Sequence, residues 1–340
     1  MADAYKYNFQ CEHVEEASQM TKEFLLTVYS RRNGSPNEIS LLDIKAKRQF
    51  LKRGVYDDDG PMRLEDMYVG GEITVCARKM KIVAYADSAT RELFQKNCEQ
   101  VYTVIGGAAF SDIGTLFTAA TDNGFTIKRV KTLPDSQGSR SPAVHAELVG
   151  AGGPDAFLQV VAQSVGTASA AAISAEAASS SNEKAFTGKE CTATFDSCSL
   201  CLIRPHAMRE GTAGAVISCI MNAGLDISAM QSYTLLKNQA ENFYEVYKTV
   251  LPSAQYAAMI SELASGTMIA LEVRGQDDVV PRLRELSGPF DTEIAKHLRP
   301  GTIRAMYGRD NVHNVVHCTD LPEDGILESQ YFFSILPTVN

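Results

Sequence analysis

The sequence predicts a multidomain protein in which a small β-rich domain precedes two α/β domains that share a ferredoxin-like βαββαβ plan. The chain has 340 residues, a length that suits two or three domains. Residues 1–95 alternate β-branched and aromatic runs with turn signals. Residues 97–188 and 195–335 repeat each other weakly, and each copy passes from an apolar strand to an amphipathic helix closed by a glycine.

The N-terminal part is predicted to form a compact antiparallel sheet. Phe24–Tyr29 is a β-branched and aromatic run, and Asn33–Asn37 supplies a turn to the return strand Glu38–Ile44. Two further strands are predicted at Glu72–Ala77 and Met80–Tyr85. Strands that follow each other this closely bury their apolar faces most simply in one antiparallel sheet.

A basic stretch, Lys45–Arg53, stands out in this acidic chain. One interpretation is a solvated turn between strands. The other is a patch that binds an acidic surface such as that of tubulin. The stretch that follows, Asp57–Asp59, has the composition of a turn, because consecutive aspartates on one turn rarely converge on one metal ion.

The two repeated copies can be matched by their glycines and apolar runs. Asn123–Ile127 matches Ala223–Ile227, and Gly153–Val160 matches Gly266–Val273 as a predicted strand. This order of elements predicts the βαββαβ plan in both copies. In the second copy the first strand, the buried helix stripe and the next strand are predicted at Leu200–Ile203, Ala213–Ile220 and Leu225–Met230.

Composition narrows the class of protein. A net charge of −9 and a pI of about 5.3 disfavour unspecific nucleic-acid binding. No apolar run reaches membrane-spanning length, which predicts a cytosolic or cytoskeletal protein without a membrane partner. The eight cysteines are scattered. The lone C-x-x-C at Cys198–Cys201 is interpreted as buried strand residues rather than as a metal or redox site.

The stretch from residue 299 to residue 333 carries the candidate chemistry. Asn314 lies three residues before His317, Glu328 follows on the next predicted helix, and Arg304 lies upstream. A neutral imidazole is a nucleophile near pH 7, and a carboxylate on one ring nitrogen fixes its tautomer. Arginine side chains bind phosphate oxygens. These residue types together indicate transfer of a phosphoryl group.

The motif N-x-x-H, followed by C-T-D and a glutamate on the next helix, resembles the active-site signature of nucleoside diphosphate kinases. That family shares the βαββαβ plan, and its histidine takes a phosphate from ATP with Mg²⁺ and passes it to a nucleoside diphosphate. The resemblance implies that His317 is phosphorylated and that Glu328 orients it, without a metal ligand from the chain itself. It places nucleotide and phosphate contacts at Arg204, Tyr247, Arg284, Arg304 and Asn314.

Three departures from the family pattern predict weak or absent activity. Arg204 replaces a lysine, and a planar guanidinium does not readily replace a point charge. Phe290 stands where the family has a threonine that donates to the phosphates. Gln255 replaces a phenylalanine that stacks on the base, which removes about 0.5–1.5 kcal/mol of stacking. The loop Asp291–Leu298 is also longer than the family pattern.

The first copy is predicted to be degenerate and to bind no nucleotide. Gly106–Ala108 stands where the family has Lys-Pro-Asp, and nothing matches N-x-x-H. His145 precedes the strand predicted at Gly153 and so lies in the wrong place. The alanine- and serine-rich segment Gly166–Ser181 is interpreted either as a shortened remnant of the active-site loop and terminal helix or as a linker.

The N-terminal pattern and the domain order resemble the ciliary members of the family, in which an attachment domain precedes two kinase-fold copies. Two hypotheses follow: a structural protein inside the doublet microtubule of the ciliary or flagellar axoneme, or an active kinase. The first implies tubulin, other axonemal doublet proteins and a microtubule-organising complex as partners, with no nucleic acid and no membrane. Two copies in one chain could also pack as an internal pseudo-dimer.

Overall fold

The computed structural model describes residues 5–15, 20–30, 36–56, 62, 64, 67–76, 78–136, 138–179, 181–275 and 278–339. The chain divides into two compact units, Met1–Glu99 and Gln100–Asn340. The first unit ends close to the predicted boundary at residue 95. Both repeated copies lie in the second unit. Within the ranges above, every helix is too short or too polar to cross a membrane.

The described residues of the N-terminal unit form a six-stranded antiparallel sheet with strand order β4-β3-β2-β1-β6-β5, and helix α1 follows at Ser88–Asn97. This confirms the predicted β-rich domain. Alternate residues of the second strand, Phe24, Leu26 and Val28, face the core, as the sequence pattern predicts. Its strands are β1 Tyr5–Glu15, β2 Met20–Ser30, β3 Glu38–Asp43, β4 Arg48–Gly54, β5 Glu72–Val75 and β6 Arg78–Tyr85.

The basic stretch Lys45–Arg53 occupies the turn after β3 and the edge strand β4. It therefore extends beyond a turn, because Arg48–Gly54 pairs with β3. Its role as a binding patch stays a prediction. Asp57–Asp59, predicted to form a turn, lie outside the described residues.

The second unit contains one eight-stranded sheet with the order β10-β7-β9-β8-β12-β13-β11-β14. Each half follows the βαββαβ plan, which confirms the predicted ferredoxin-like fold. The first copy comprises β7 Glu99–Ile105, α2 Ile113–Asp122, β8 Thr126–Leu133, β9 Ala143–Gly150, α3 Gly153–Ser164 and β10 Ile173–Ala177. The second comprises β11 Cys198–Ile203, α7 Ala213–Asn222, β12 Asp226–Thr234, β13 Thr267–Arg274, α10 Val279–Ser287 and β14 Val316–Cys318.

Further helices connect these elements. The first copy and the linker after it contain α4 Thr167–Ala171 and α5 Glu183–Thr187. The second copy adds α6 Pro205–Arg209, α8 Lys237–Phe243, α9 Ser253–Leu263, α11 Thr292–Leu298, α12 Ile303–Tyr307, α13 Gly325–Gln330 and α14 Leu336–Val339.

The strand predicted at Gly153–Val160 is wrong, because these residues form helix α3. Pro154 occupies the first helical turn, where its missing N–H costs nothing, and Asp155 suits the positive end of the helix dipole. Phe157, Val160 and Val161 then face the core at helical spacing. The third strand of the first copy is β9, so His145 lies on that strand and not before it.

The segment Gly166–Ser181 is more than a linker. It contains α4 and the edge strand β10, which pairs antiparallel with β7 from Ile173 to Ala177. It therefore supplies the fourth strand of the first copy and completes that copy's ferredoxin-like order.

The two copies pack as an internal pseudo-dimer, which agrees with the expectation from the repeat. Strand β8 pairs antiparallel with β12, and the Met230 N–H donates to Thr132 Oγ1 at 2.9 Å across the junction. Helices α2 and α7 pack together at Gly114 and Gly214. A Cβ atom added at Gly214 would lie 2.6 Å from the Gly114 carbonyl oxygen, so only glycine permits this approach.

Replacement of Gly214 with alanine should destabilise the second unit by about 1–3 kcal/mol through overpacking. Alanine in an ordinary helix interior stabilises by about 1 kcal/mol relative to glycine, so the sign is diagnostic. Urea unfolding of the full chain measures the change. Gly166→Ala is the matched control, because an added Cβ there meets no atom within 4 Å. Equal stability of the two variants would contradict the close helix crossing.

Candidate active site

The candidate nucleophile lies on the short edge strand β14. His317 pairs with Leu202 of the neighbouring strand β11, and the flanking Val316 and Cys318 are buried. His317 itself is only 4% exposed. Because β14 has just three residues, its position depends on β11 on one side and on the loop before it on the other.

The imidazole is held by a carboxylate that is itself held by a hydroxyl. Nε2 of His317 lies 3.0 Å from Glu328 Oε2, on α13. The Thr319 hydroxyl donates to the same oxygen at 2.9 Å and accepts the Leu200 N–H at 3.0 Å. A proton on Nε2 leaves the Nδ1 lone pair available. Within the described residues, Nδ1 has no hydrogen-bond partner.

Aromatic rings enclose His317 on one side. Phe243 and Tyr244 approach it edge-on, with ring centroids 5.1 and 5.8 Å away. Burial raises the pKa of Tyr244 to about 12, so its hydroxyl stays neutral. That hydroxyl accepts a hydrogen bond of 3.1 Å from Nη2 of Arg204, whose Nη1 donates to the Val312 carbonyl at 2.8 Å. The buried Arg204 thus contacts the site through Tyr244, and its bond to Val312 anchors the loop that precedes β14.

Arg304 and Asn314 also bind backbone carbonyls. Arg304 donates to the Gly288 carbonyl at 2.7 Å and to the Val316 carbonyl at 3.0 Å. Asn314 Nδ2 lies 3.2 Å from the Phe290 carbonyl. Some polar atoms here are buried and unpartnered in the described part of the chain: Nε of both Arg204 and Arg304, and Oδ1 of Asn314. Such atoms carry a desolvation cost that a bound polar group would relieve.

Arg284 and Tyr247 converge on one carboxylate, that of Asp320. Arg284 forms an ion pair with it, and the Tyr247 hydroxyl donates to its second oxygen. Burial by itself would raise the pKa of Asp320, but these two hydrogen bonds outweigh it and hold the pKa below its usual range. Asp320 is therefore ionised near neutral pH and neutralises the Arg284 charge.

Comparison with known proteins assigns this chain to a family. The family model for nucleoside diphosphate kinase matches residues 197–336. The chain is 31% identical to mouse nucleoside diphosphate kinase homolog 7 over 379 aligned positions, which cover 97% of this chain and 93% of that protein. The chain belongs to the nucleoside diphosphate kinase family.

Nucleoside diphosphate kinases also match over a smaller part of this chain. The Aquifex aeolicus enzyme is 30% identical over 140 residues, which cover 41% of this chain and 96% of the enzyme. Its crystal structure covers the same shares at 29% identity, with a TM-score of 0.38.

The structure brings most of the predicted nucleoside diphosphate kinase residues into one region. His317 and Glu328 are in direct contact, Arg304 binds the backbone of the histidine strand, and Arg204 reaches His317 through Tyr244. Tyr247 and Arg284 share Asp320. Phe290 is half-buried and packs against the apolar cluster that includes Tyr244 and Phe332.

Sequence reasoning assigned no role to three residues of this site: Tyr244, Thr319 and Asp320. Thr319 and Asp320 belong to the C-T-D motif, so the motif was the signal that could have identified them. Tyr244 lies three residues before Tyr247, a spacing that places both on one side of a helical turn. The first copy offers no counterpart. His145 lies 2.5 Å from the Tyr102 hydroxyl, and burial lowers its pKa.

Tyr244→Phe should destabilise the chain by about 1–3 kcal/mol, because it removes an acceptor of the buried Arg204 guanidinium and leaves the ring in place. The midpoint of urea unfolding measures this effect. Tyr256→Phe is the matched control, since Tyr256 packs on the same apolar cluster and its hydroxyl has no hydrogen-bond partner in the described part of the chain. A Tyr244→Phe variant as stable as the control would mean that Arg204 does not depend on this hydroxyl.

Proposed function

We propose that this protein is a structural component of the ciliary or flagellar axoneme, bound within the doublet microtubule. Tubulin and other axonemal proteins are its proposed partners. One observation carries the proposal: the likeness to mouse nucleoside diphosphate kinase homolog 7 extends over 97% of the chain. That span includes the N-terminal unit and the first kinase-fold copy, and neither contains the N-x-x-H signature.

The contacts of the second copy support a scaffold role. Arg204, Arg304 and Asn314 match positions that contact phosphate or ribose in the family, yet here each donates to a backbone carbonyl of its own chain. These bonds tie segments that precede His317 in the chain to other parts of the second copy. Side chains that bind their own backbone in this way support a structural role more than catalytic turnover.

The protein should stay with axonemal doublets after detergent and moderate salt extraction. Salt screens exposed charge pairs beyond about 10 Å at 0.1 M, so an enclosed interface survives where a surface electrostatic one does not. Removal of residues 1–98, which leaves β7 intact, should release more protein than His317→Ala, because attachment is assigned to the N-terminal unit and the outer kinase-fold surfaces. Quantitative immunoblots of the soluble and axonemal fractions measure retention.

His317→Ala is the matched control for that experiment, since it changes the imidazole and leaves the outer surfaces intact. Recovery of the intact protein in the detergent-soluble fraction would overturn the structural proposal. Loss of retention through His317→Ala alone would also overturn it and would favour a nucleotide-handling enzyme.

The His317–Glu328 contact favours a second candidate function, phosphoryl transfer. The Nδ1 lone pair of His317 would attack the γ-phosphorus of ATP, the bond to ADP would break, and the phosphohistidine would then pass the group to a nucleoside diphosphate. Glu328 would stabilise the charge that develops on the ring. The buried unpartnered Nε donors of Arg204 and Arg304 fit phosphate oxygens, and the unpartnered Oδ1 acceptor of Asn314 fits a ribose hydroxyl. Mg²⁺ bound to ATP would neutralise charge on the phosphates.

Incubation with labelled ATP and Mg²⁺ should give acid-labile, base-stable label that His317→Ala removes. Arg204→Lys combined with Phe290→Thr should raise the labelling rate, since one donor at such a site is worth about 10²–10³-fold. The structure adds a control: Arg204→Lys alone loses the bonds to Val312 and Tyr244, so its stability must be measured in parallel. No label on the wild type at high protein concentration would end this candidate.

A further inference from the structure

A strained residue lies two positions before His317. Val315 is fully buried and has a φ of 73°, in the left-handed region that β-branched residues rarely adopt. Such a conformation costs about 1–3 kcal/mol and persists only where the surroundings hold it. Because β14 begins at the next residue, the direction in which this strand leaves Val315 decides where His317 lies.

Two hydrogen bonds hold the Val315 backbone. Its carbonyl accepts the Arg204 N–H at 2.9 Å, which continues the antiparallel ladder between β11 and β14. Its N–H donates to Nε2 of His206 at 3.1 Å. The second bond comes from a side chain on α6 and fixes the N–H direction that the left-handed conformation requires.

The acceptor role of Nε2 places the ring proton of His206 on Nδ1. Nδ1 lies 2.8 Å from Glu262 Oε1, and the His206 backbone N–H donates to the same oxygen at 3.1 Å. Both side chains are almost fully buried. Burial would raise the pKa of Glu262, but the His206 hydrogen bonds and the Arg204 charge outweigh it and lower the pKa. Glu262 is thus an anion that accepts from Nδ1 and enforces this tautomer.

We propose that His206 and Glu262 form a positioning pair for His317. The pair presents a fixed acceptor to the strained Val315 amide, and this sets the course of β14 and the orientation of the nucleophilic ring. His206 touches no reacting atom, so it is a positioning residue and not a catalytic one. This inference rests on the phosphoryl-transfer candidate above.

The local sequence is consistent with this assignment. The chain has Arg204-Pro205-His206 where the family pattern is Lys-Pro-Asp. A carboxylate can only accept hydrogen bonds, whereas a neutral imidazole accepts at one nitrogen and donates at the other. Histidine at this position therefore needs a partner that selects the tautomer, and Glu262 of α9 supplies it. Pro205 starts α6 and restricts the backbone just before His206.

The test compares His206→Phe with His206→Gln in the full chain. Phenylalanine keeps an aromatic ring and removes the acceptor, whereas a glutamine amide can both accept from Val315 and donate to Glu262. Hydrogen exchange followed by mass spectrometry should show exchange about tenfold faster in peptides spanning residues 312–319 of the phenylalanine variant. Peptides from β13 should keep the wild-type rate, and glutamine should restore most of the protection.

The second readout is the reactivity of His317 toward phosphoramidate, which needs no nucleotide site. Nδ1 of His317 attacks phosphorus, the P–N bond of the reagent breaks, and ammonia leaves after taking a proton from water. His206→Phe should slow this labelling about tenfold, and His206→Gln should recover it. His313→Phe is the matched control, because His313 packs edge-on against His206 at 5.2 Å but is exposed and pairs with Asp310.

The outcomes distinguish the positioning pair from the kinase candidate. Label from phosphoramidate without label from ATP would remove the kinase candidate and keep the positioning pair. Unchanged exchange in residues 312–319, or exchange that rises equally in β13, would overturn the pair as a positioning device. So would a wild type that neither reagent labels. If His206→Phe does not fold, Glu262→Gln gives the test, since it weakens tautomer selection and should produce the same local change at a smaller size.

Discussion

The junction between β8 and β12 is the contact on which the second unit depends. It joins two ferredoxin-like copies into one sheet and brings α2 and α7 together at facing glycines. The second copy alone would expose the β12 edge and the apolar face of α7, both of which favour association with other chains. The first copy covers both surfaces. The first copy therefore has a structural role in this chain that does not involve nucleotide chemistry.

The residues around His317 are largely in place as a site, and they also stabilise the fold. Each buried guanidinium needs several acceptors, and in this chain backbone carbonyls of neighbouring loops supply them. Those bonds order the loops that border the site, and they also reduce the number of donors free to face a phosphate. Glu328 instead contacts the imidazole directly, and the Thr319 hydroxyl holds Glu328 in place. The chain thus keeps the orientation of its nucleophile while the surrounding cations contribute to stability.

Local patterns predicted much of this molecule. The strands of the N-terminal unit follow from alternation of apolar residues, and His317 and Glu328 follow from a motif of fixed spacing. The segment Gly153–Val160 was mispredicted because a short apolar run suits a strand or a helix, and here Pro154 and the helical spacing decide. Contacts between distant segments had no local signal. Glu262 reaches His206 across 56 positions, and Tyr244 reaches Arg204 across 40.

The asymmetry of the two copies has a consequence for the way ligands bind. In a symmetric dimer two equivalent sites can communicate through the shared interface, and occupancy of one then changes the affinity of the other. Here the copy across the junction carries Gly106–Ala108 in place of the first-strand motif and no equivalent histidine. Nucleotide binding is therefore proposed for the second copy alone. Saturation by a nucleotide would be hyperbolic, with a Hill coefficient of about one for the isolated chain.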